Sequence, residues 1–332
     1  ADERITLVNT AALGLLRLAS PPIGRTLVEI VRAPALIELA SGARAATTSG
    51  TEFELRGPKP RRLMARATPL KNTGGLVIVL HDVTDLRRLE TIRSDFVANV
   101  SHELRTPVSV IRANVETLLD GAMDDAEQAR RFLEALSRSA ERLSQLVADL
   151  LDISRIEAGA YQLEMSAVPV LPAMQRAVES ITLAAQHKNL TVLADGDPHI
   201  TALADARALD QVLMNLVDNA VKYTQQGGTI RVRAKTIEEG VRIEVCDDGP
   251  GIEPRHRARV FERFYRVDEG RSRAMGGTGL GLAIVKHLME AMRGQVGVDG
   301  GSPRGSIFWV ELHPGTPRML SLADLPVVGA VA

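Results

Sequence analysis

The sequence predicts a multidomain α+β protein with a small mixed unit, a long helical hairpin and a larger mixed domain, in that order. The chain has 332 residues, which is too long for one small core and suits two or three domains. From Asp85 onward, apolar residues recur every three or four positions over two long segments, as in amphipathic helices. Strand-like alternation occurs on both sides of these segments.

Composition and charge exclude several classes of protein. Apolar residues make up 45% of the chain and charged residues 24%, which excludes a wholly disordered or collagen-like chain. The net charge of −1 offers no basic surface for nucleic acid, so we expect no nucleic-acid partner. A single cysteine, Cys246, excludes an intramolecular disulfide and a cysteine-cluster metal site.

Residues 1–84 predict a small α+β unit. The alternation of residues 5–8 predicts a strand, and a Gly-Pro-Lys-Pro turn at 57–60 precedes a second apolar segment at 63–65. Residues 76–80 form an aliphatic run after two glycines, which predicts a buried strand and is far too short to span a bilayer. Because the chain opens without Met and its first residues already resemble the middle of a fold, we expect a fragment of a longer protein.

Residues 85–160 predict an antiparallel helical hairpin. Gly121 ends the first helix, and the two aspartates at 124–125 cap the second. One hairpin alone would leave its apolar stripe exposed to water. We therefore predict a homodimer through residues 85–157 that closes a four-helix bundle.

Residues 165–313 predict a mixed domain with a sheet that helices cover on one face. An Ala-Asp pair at 204–205 precedes an amphipathic helix, and residues 230–234 and 241–245 alternate as half-buried antiparallel strands do. Residues 314–332 contain several prolines and no amphipathic period, which predicts a loosely ordered tail.

A histidine in the first predicted helix lies outside its apolar stripe. At about 100° per residue, His102 lies roughly 200° from the nearest apolar positions, so its imidazole faces solvent and can act as a nucleophile. Glu103 can accept or orient the ring proton, and Thr106 follows one turn later on the same face. Taken alone, the pattern also fits a plain surface histidine beside a bend at Pro107.

A second group of polar residues follows the Ala-Asp pair at helical spacing: Asn215, Asn219, Lys222 and Tyr223. Two asparagines on an otherwise apolar helix are costly to bury unless they bind something polar. An amide oxygen suits Mg²⁺, which takes few protein ligands besides waters and phosphates. Two hydrogen-bonded structural amides are the alternative.

Asp247 ends a predicted strand and is followed by Gly249 and Gly251. A carboxylate at that position can accept a hydrogen bond from an adenine amino group, although a plain turn explains the segment equally well.

Three glycines precede a predicted helix near the end of the domain: Gly277, Gly279 and Gly281. Backbone N–H groups at such a helix start can bind an anion. The segment matches neither the Walker loop nor the dinucleotide-binding fingerprint, so the glycines alone are weak support for a phosphate site.

In order and content, these segments resemble the motifs of sensor histidine kinases of two-component systems. The motifs are the phosphoacceptor box at 102–107, the asparagine box at 215–223, the first glycine box at 247–251, the phenylalanine box at 261–264 and the second glycine box at 277–281. The resemblance covers about residues 85–313, and the layout is most similar to phosphate-regulon sensor kinases.

The resemblance implies three domains. Residues 1–84 resemble a PAS sensor domain that lacks its first strand, which supports truncation at the N-terminus. Residues 85–160 correspond to the dimerisation and histidine phosphotransfer domain, and residues 165–313 to an α/β sandwich that binds ATP, of the Bergerat type shared with chaperone ATPases. The full-length protein is then expected to be anchored in the inner membrane by an upstream segment, with this portion in the cytoplasm.

The resemblance also implies ATP and Mg²⁺ as cofactors. By this analogy Asn219 holds Mg²⁺, Asn215 and Lys222 contact the phosphates, and Asp247 contacts the adenine amino group. The glycines of the second glycine box border a lid. In that lid, Arg271 and Arg273 can offset the charge of the γ-phosphate.

The implied reaction begins with attack of His102 on the γ-phosphoryl group of ATP, with Glu103 assisting proton removal. The phosphoryl group then passes to an aspartate on the receiver domain of a response regulator, and Thr106 assists the later dephosphorylation of that regulator. Residues 157–165 act as a hinge between the two domains. Two alternatives remain open, namely an ATPase of the same fold outside signalling and a scaffold without catalysis.

Overall fold

The computed structural model describes residues 4–31, 33–42, 49–70, 75–159, 161–267, 277–301 and 304–315. The chain divides into two compact units, Ala1–Ala98 and Asn99–Ala332. One long helix, α4 (Thr84–Leu119), crosses the boundary between them.

The first unit is an antiparallel sheet with short helices, as predicted for an α+β unit. Its helices are α1 (Thr10–Leu16), α2 (Leu27–Ile30) and α3 (Pro34–Gly42). Its strands are β1 (Ser49–Leu55), β2 (Arg61–Pro69) and β3 (Leu76–Asp82), hydrogen-bonded in the order β1-β2-β3. Leu36, Phe53 and Leu63 are buried between α3 and the sheet. The assignment of this unit as a PAS domain stays a prediction.

Two expectations for this unit are wrong. Residues 5–8 do not form a strand. Where the structure describes the chain, this segment pairs with the turn at 24–26, through a bridge from Arg4 to Thr26 and a hydrogen bond from the Ile5 amide to the Arg25 carbonyl. Strand β3 forms where predicted but is not buried, since Val77 is 43% exposed and Val79 45%. A strand with one covered face usually alternates apolar and polar residues. Residues 76–80 are all aliphatic, so the sequence gives no sign that helices cover only one face of this sheet.

Hydrogen bonds and an ion pair connect the start of α4 to the sheet of the first unit. The Thr84 amide donates to Oδ1 of Asp82 at 3.0 Å, and the Arg62 amide donates to the Thr84 hydroxyl at 2.9 Å. Arg87 in the first turns of the helix forms an ion pair with Glu52 on β1. These contacts fix where the helix leaves the sheet.

The predicted hairpin is confirmed. Helix α4 runs through Pro107 to Leu119, and α5 (Ala126–Glu157) follows after a short 3₁₀ turn. The Asp125 side chain caps α5 by accepting hydrogen bonds from the amides of Glu127 and Gln128, at 2.9 and 3.2 Å. Such a cap stabilises a helix by about 1 kcal/mol. Large apolar side chains remain exposed on both helices, among them Val108, Val115, Leu133, Val147 and Leu151.

The mixed domain contains a five-stranded sheet in the order β5-β7-β8-β10-β9 and a two-stranded sheet β4-β6. The strands are β4 (Ser166–Pro169), β5 (Thr191–Asp195), β6 (Thr201–Ala204), β7 (Thr229–Ile237), β8 (Gly240–Asp247), β9 (Gln295–Gly300) and β10 (Ser306–Leu312). The helices are α6 (Val170–Ser180), α7 (Thr182–His187), α8 (Ala206–Tyr223), α9 (Pro254–Arg257) and α10 (Gly281–Ala291).

Helix α8 packs its apolar side against this sheet and thereby fixes its polar side. The helix begins after Asp205, as predicted, and the Asp205 side chain caps it by accepting a hydrogen bond from the Ala208 amide at 2.9 Å. Leu209, Leu213 and Leu216 are fully buried. The predicted strands at 230–234 and 241–245 are confirmed as the antiparallel pair β7-β8, while β5 and β7 are parallel.

The first residues of the predicted loose tail are ordered. Pro314 forms a bridge with Ala202 on β6, and the Leu203 amide donates to the His313 carbonyl at 2.8 Å. Residues 316–332 lie outside the described residues. Within the described part of the chain, no helix is both long enough and apolar enough to cross a lipid bilayer.

Candidate functional site

A cavity of about 400 Å³ lies beside α8, at the start of α10 and against α5. Much of the predicted site lines it, namely Asn215, Asn219, Lys222, Tyr223, Gly277, Gly279 and Gly281. These residues come from two segments that are more than fifty positions apart in the sequence. The fold therefore brings the asparagine-containing helix and the second glycine segment to one place.

The wall made by α8 is polar because the apolar side of this helix is turned to the core. Lys222 forms an ion pair with Asp218 one turn earlier, with 2.6 Å between Nζ and Oδ2. A Cβ atom on Gly281 would lie 3.0 Å from Oδ1 of Asn215, so a larger residue there would crowd the amide. Asp218 is a cavity residue that was not among the predicted site residues.

The start of α10 provides backbone donors. The helix begins at Gly281, and no side chain caps it at Leu280, so the first-turn N–H groups are available to an anion. Gly279 has φ of +75°, a conformation that favours glycine, and its carbonyl accepts a hydrogen bond from the Phe264 amide at 2.8 Å. This hydrogen bond joins the second glycine box (277–281) to the phenylalanine box (261–264).

Asp247 and the glycines after it do not line this cavity in the part of the chain that the structure describes. Oδ1 of Asp247 accepts hydrogen bonds from the amides of Gly249 at 2.9 Å and Ser306 at 3.3 Å. Burial raises the pKa of Asp247 above its ordinary value, against the effect of these hydrogen bonds. Gly249 adjoins the end of α8, because a Cβ atom there would lie 3.1 Å from the Tyr223 carbonyl oxygen.

Helix α5 of the hairpin contributes residues to the cavity that were not predicted. Asp149 is 5% exposed and accepts hydrogen bonds from the Thr278 hydroxyl at 2.6 Å and the Gln145 amide group at 2.7 Å. Burial raises the pKa of Asp149, although both hydrogen bonds oppose the shift. The signal in the sequence was a carboxylate within an apolar stripe, between Leu146 and Ile153.

The predicted phosphoacceptor segment lies on α4. His102 is exposed, as predicted, and its carbonyl accepts a hydrogen bond from the Thr106 hydroxyl at 3.2 Å. The Glu103 carboxylate accepts from Arg142 at 2.9 Å and from Arg266 at 3.4 Å. Arg266 also lines the cavity and donates to the Gly277 carbonyl. Both guanidinium groups therefore contact the carboxylate of Glu103 through its Oε2.

The donor set fits Mg²⁺ bound with a nucleotide. The described residues contain no group of three His, Cys, Asp or Glu side chains placed to hold a metal ion. An amide oxygen such as that of Asn219, with phosphates and waters as the other ligands, is a usual arrangement for Mg²⁺.

Arg271 and Arg273, predicted to lie in the lid, are outside the described residues.

Two family models match the chain. Residues 92–159 match the His Kinase A phospho-acceptor domain, and residues 204–316 match the ATPase domain of histidine kinases, DNA gyrase B and HSP90. The hairpin and the cavity-bearing domain correspond to these two matches.

Two curated relatives cover most of the chain. The phosphate regulon sensor protein PhoR of Pseudomonas aeruginosa is 35% identical over 322 residues, which are 95% of this chain and 70% of PhoR. The sensor-like histidine kinase SenX3 of Mycobacterium tuberculosis is 40% identical over 236 residues, or 71% of this chain. The chain spans only 57% of the length of SenX3.

A solved structure shares the fold over nearly the whole chain. The histidine kinase ThkA, crystallised in complex with the response regulator protein TrrA, matches with a TM-score of 0.57 and 22% identity. The match covers 96% of this chain and 94% of that one. From the family matches and the identity with PhoR, the chain belongs to the sensor histidine kinases and is similar to those of the phosphate regulon.

Proposed function

We propose that this protein is an ATP-dependent histidine kinase that phosphorylates its own His102. One observation carries the proposal: the exposed His102 lies on a hairpin whose other helix forms part of a cavity with the donors expected of a nucleotide site. A ring nitrogen of His102 forms a bond to the γ-phosphorus, and the bond to the β,γ-bridging oxygen breaks to release ADP.

We propose domain limits of 1–84, 85–160 and 165–313.

Different cavity residues bind different parts of the nucleotide. Asn219 holds Mg²⁺, and Asn215 and Lys222 contact the phosphates together with the first-turn N–H groups of α10. Bound Mg²⁺ supplies positive charge that offsets the charge developing on the phosphates. Asp247 accepts a hydrogen bond from adenine beside the end of α8. The closeness of Gly249 to the Tyr223 carbonyl supports this placement.

Glu103 assists removal of the imidazole proton from His102. In the structure its carboxylate is held by Arg142 and by Arg266. Both ion pairs are made by Oε2, so Oε1 is the carboxylate oxygen that can accept the imidazole proton while the ion pairs are intact. Because Arg266 also lines the cavity, it connects Glu103 to the proposed nucleotide site.

The acceptor of the phosphoryl group is an aspartate on the receiver domain of a response regulator. ThkA was crystallised with such a protein, and membership of the same family supports this class of partner.

Anchoring of the full-length protein in the inner membrane stays a prediction.

The test is incubation with γ-labelled ATP and Mg²⁺, followed by addition of candidate response regulators. We expect acid-labile, alkali-stable label on this protein and then on one regulator. Release of free phosphate without labelled protein would instead indicate an ATPase outside signalling. Absence of Mg·ATP binding would indicate a scaffold without catalysis.

We predict that the protein is a homodimer through residues 85–157. The apolar side chains that stay exposed on α4 and α5 would be buried by a second hairpin, which lowers the free energy of the pair. Light scattering at micromolar concentration should give twice the mass of one chain. A mass equal to one chain would contradict the prediction.

Substitution of Thr106 by alanine should separate the two activities of this site. The hydroxyl donates to the His102 carbonyl and keeps lone pairs that can orient a water toward an aspartyl phosphate on the docked regulator. We expect His102 phosphorylation within about twofold of the parent and dephosphorylation of the regulator about tenfold slower. Both rates can be followed with labelled phosphate. Equal dephosphorylation by parent and variant would exclude the water-orienting role.

A further inference from the structure

The carboxyl end of α8 meets a lysine from the loop after α7. Nζ of Lys188 donates to the carbonyl oxygens of Val221 at 2.7 Å, Lys222 at 2.9 Å and Thr224 at 3.4 Å. The last four carbonyls of a helix have no partner within the helix, so this ammonium group satisfies acceptors that would otherwise need water. The contact joins residues that are more than thirty positions apart in the sequence.

The end of the helix favours a cation at this place. The carboxyl end of a helix bears partial negative charge, and a nearby cation is stabilising there. Lys188 is half-buried, and burial lowers the pKa of its ammonium group; the three carbonyl acceptors oppose this effect by stabilising the charged form. The backbone of Lys188 is also fixed, because its carbonyl accepts a hydrogen bond from the Gly227 amide at 3.0 Å.

The last turn of α8 bears part of the nucleotide cavity. Lys222 and Tyr223 line the cavity and are the final two residues of the helix. The ammonium group of Lys188 donates a hydrogen bond to the backbone carbonyl of Lys222 itself. The direction of the Lys222 side chain depends on this turn staying helical.

We propose that Lys188 is a positioning residue for the nucleotide: its ammonium group holds the last turn of α8 so that Lys222 can meet the phosphates. The inference rests on the proposed function. Lys188 itself does not line the cavity and acts only through α8.

The first test compares Mg·ATP affinity of the whole chain by titration calorimetry, at a temperature where thermal melts show every variant folded. We expect Lys188→Met to raise the Kd about tenfold. Lys188→Arg keeps the charge and the donors and should stay within about threefold of the parent. Lys235→Met removes an exposed lysine of β7 that pairs with Glu244, and it should leave the Kd unchanged.

The second test asks whether Lys188 acts through Lys222. In a Lys222→Ala background, Lys188→Met should change the Kd by less than about twofold, because the side chain that it positions is gone. A lysine with only a structural role would give the same fold-change in both backgrounds. That additive result would overturn the inference, as would an unchanged Kd in Lys188→Met.

Should Lys188→Met fail to fold, Lys188→Gln in the same two backgrounds replaces it, since glutamine keeps a donor without the charge. An increase in Kd that appears only with Lys222 present is again the expected result. If the parent does not bind Mg·ATP, the proposed function is wrong and this inference falls with it. Binding by the parent with equal Kd in the variants overturns the inference alone.

Discussion

The His102→Gln variant should incorporate no phosphate from ATP while it binds Mg·ATP as tightly as the parent. His102 is exposed on α4 and is not part of the cavity wall, so its replacement removes the nucleophile and leaves the nucleotide site intact. A glutamine amide cannot form the bond to phosphorus. We expect label on the protein to fall to background, at least about 100-fold, in a gel assay with γ-labelled ATP.

His199→Gln is the matched control for this experiment, because His199 is an exposed histidine between β5 and β6. It should retain the label of the parent. Acid-labile, alkali-stable phosphate on the His102→Gln protein would show that another histidine is the acceptor.

Substitution of Asn219 by alanine has the second largest expected effect, on nucleotide binding. The amide oxygen of Asn219 is the proposed protein ligand for Mg²⁺, and the methyl group of alanine cannot replace it. We expect the Kd for Mg·ATP to rise by about 100-fold or more in titration calorimetry. Weak binding measured in EDTA should be the same for parent and variant, because the metal is then absent from both.

Gln211→Ala, two turns earlier on α8, serves as the control. The Gln211 side chain donates to Asp152 at 2.6 Å rather than lining the cavity. Its Kd for Mg·ATP should stay close to that of the parent. Equal affinity in the Asn219→Ala variant would count against the metal-binding role.

Local signals in the sequence predicted both hairpin helices, the cap of the second one, and the helices that became α8 and α10. Asp125 and Asp205 lie at the starts of α5 and α8 as expected, because an N-cap depends only on the next three residues. Lys222 also lies with Asn219 in the cavity wall, because residues three or four positions apart share one side of a helix.

Contacts between distant segments could not be predicted from local patterns. Residues 5–8 alternate correctly for a strand, yet among the described residues they do not join the sheet β1-β2-β3. The hydrogen bond from Thr278 to Asp149 joins residues 129 positions apart, and although a carboxylate within an apolar stripe is unusual, nothing in that stripe identifies Thr278 as its partner. The two arginines that hold Glu103 are Arg142 of α5 and Arg266, two residues after the phenylalanine box. Such pairs depend on how elements pack, which no short window of sequence contains.

The presence of α5 in the wall of the cavity has a thermodynamic consequence. Gln145 and Asp149 of this helix share the cavity with the residues proposed to bind nucleotide. If the affinity for nucleotide differs between two positions of α5, nucleotide must shift the balance between those positions by the same factor, because coupling between two sites is reciprocal. A signal that moves the hairpin and a nucleotide that fills the cavity are then two effectors of a single equilibrium.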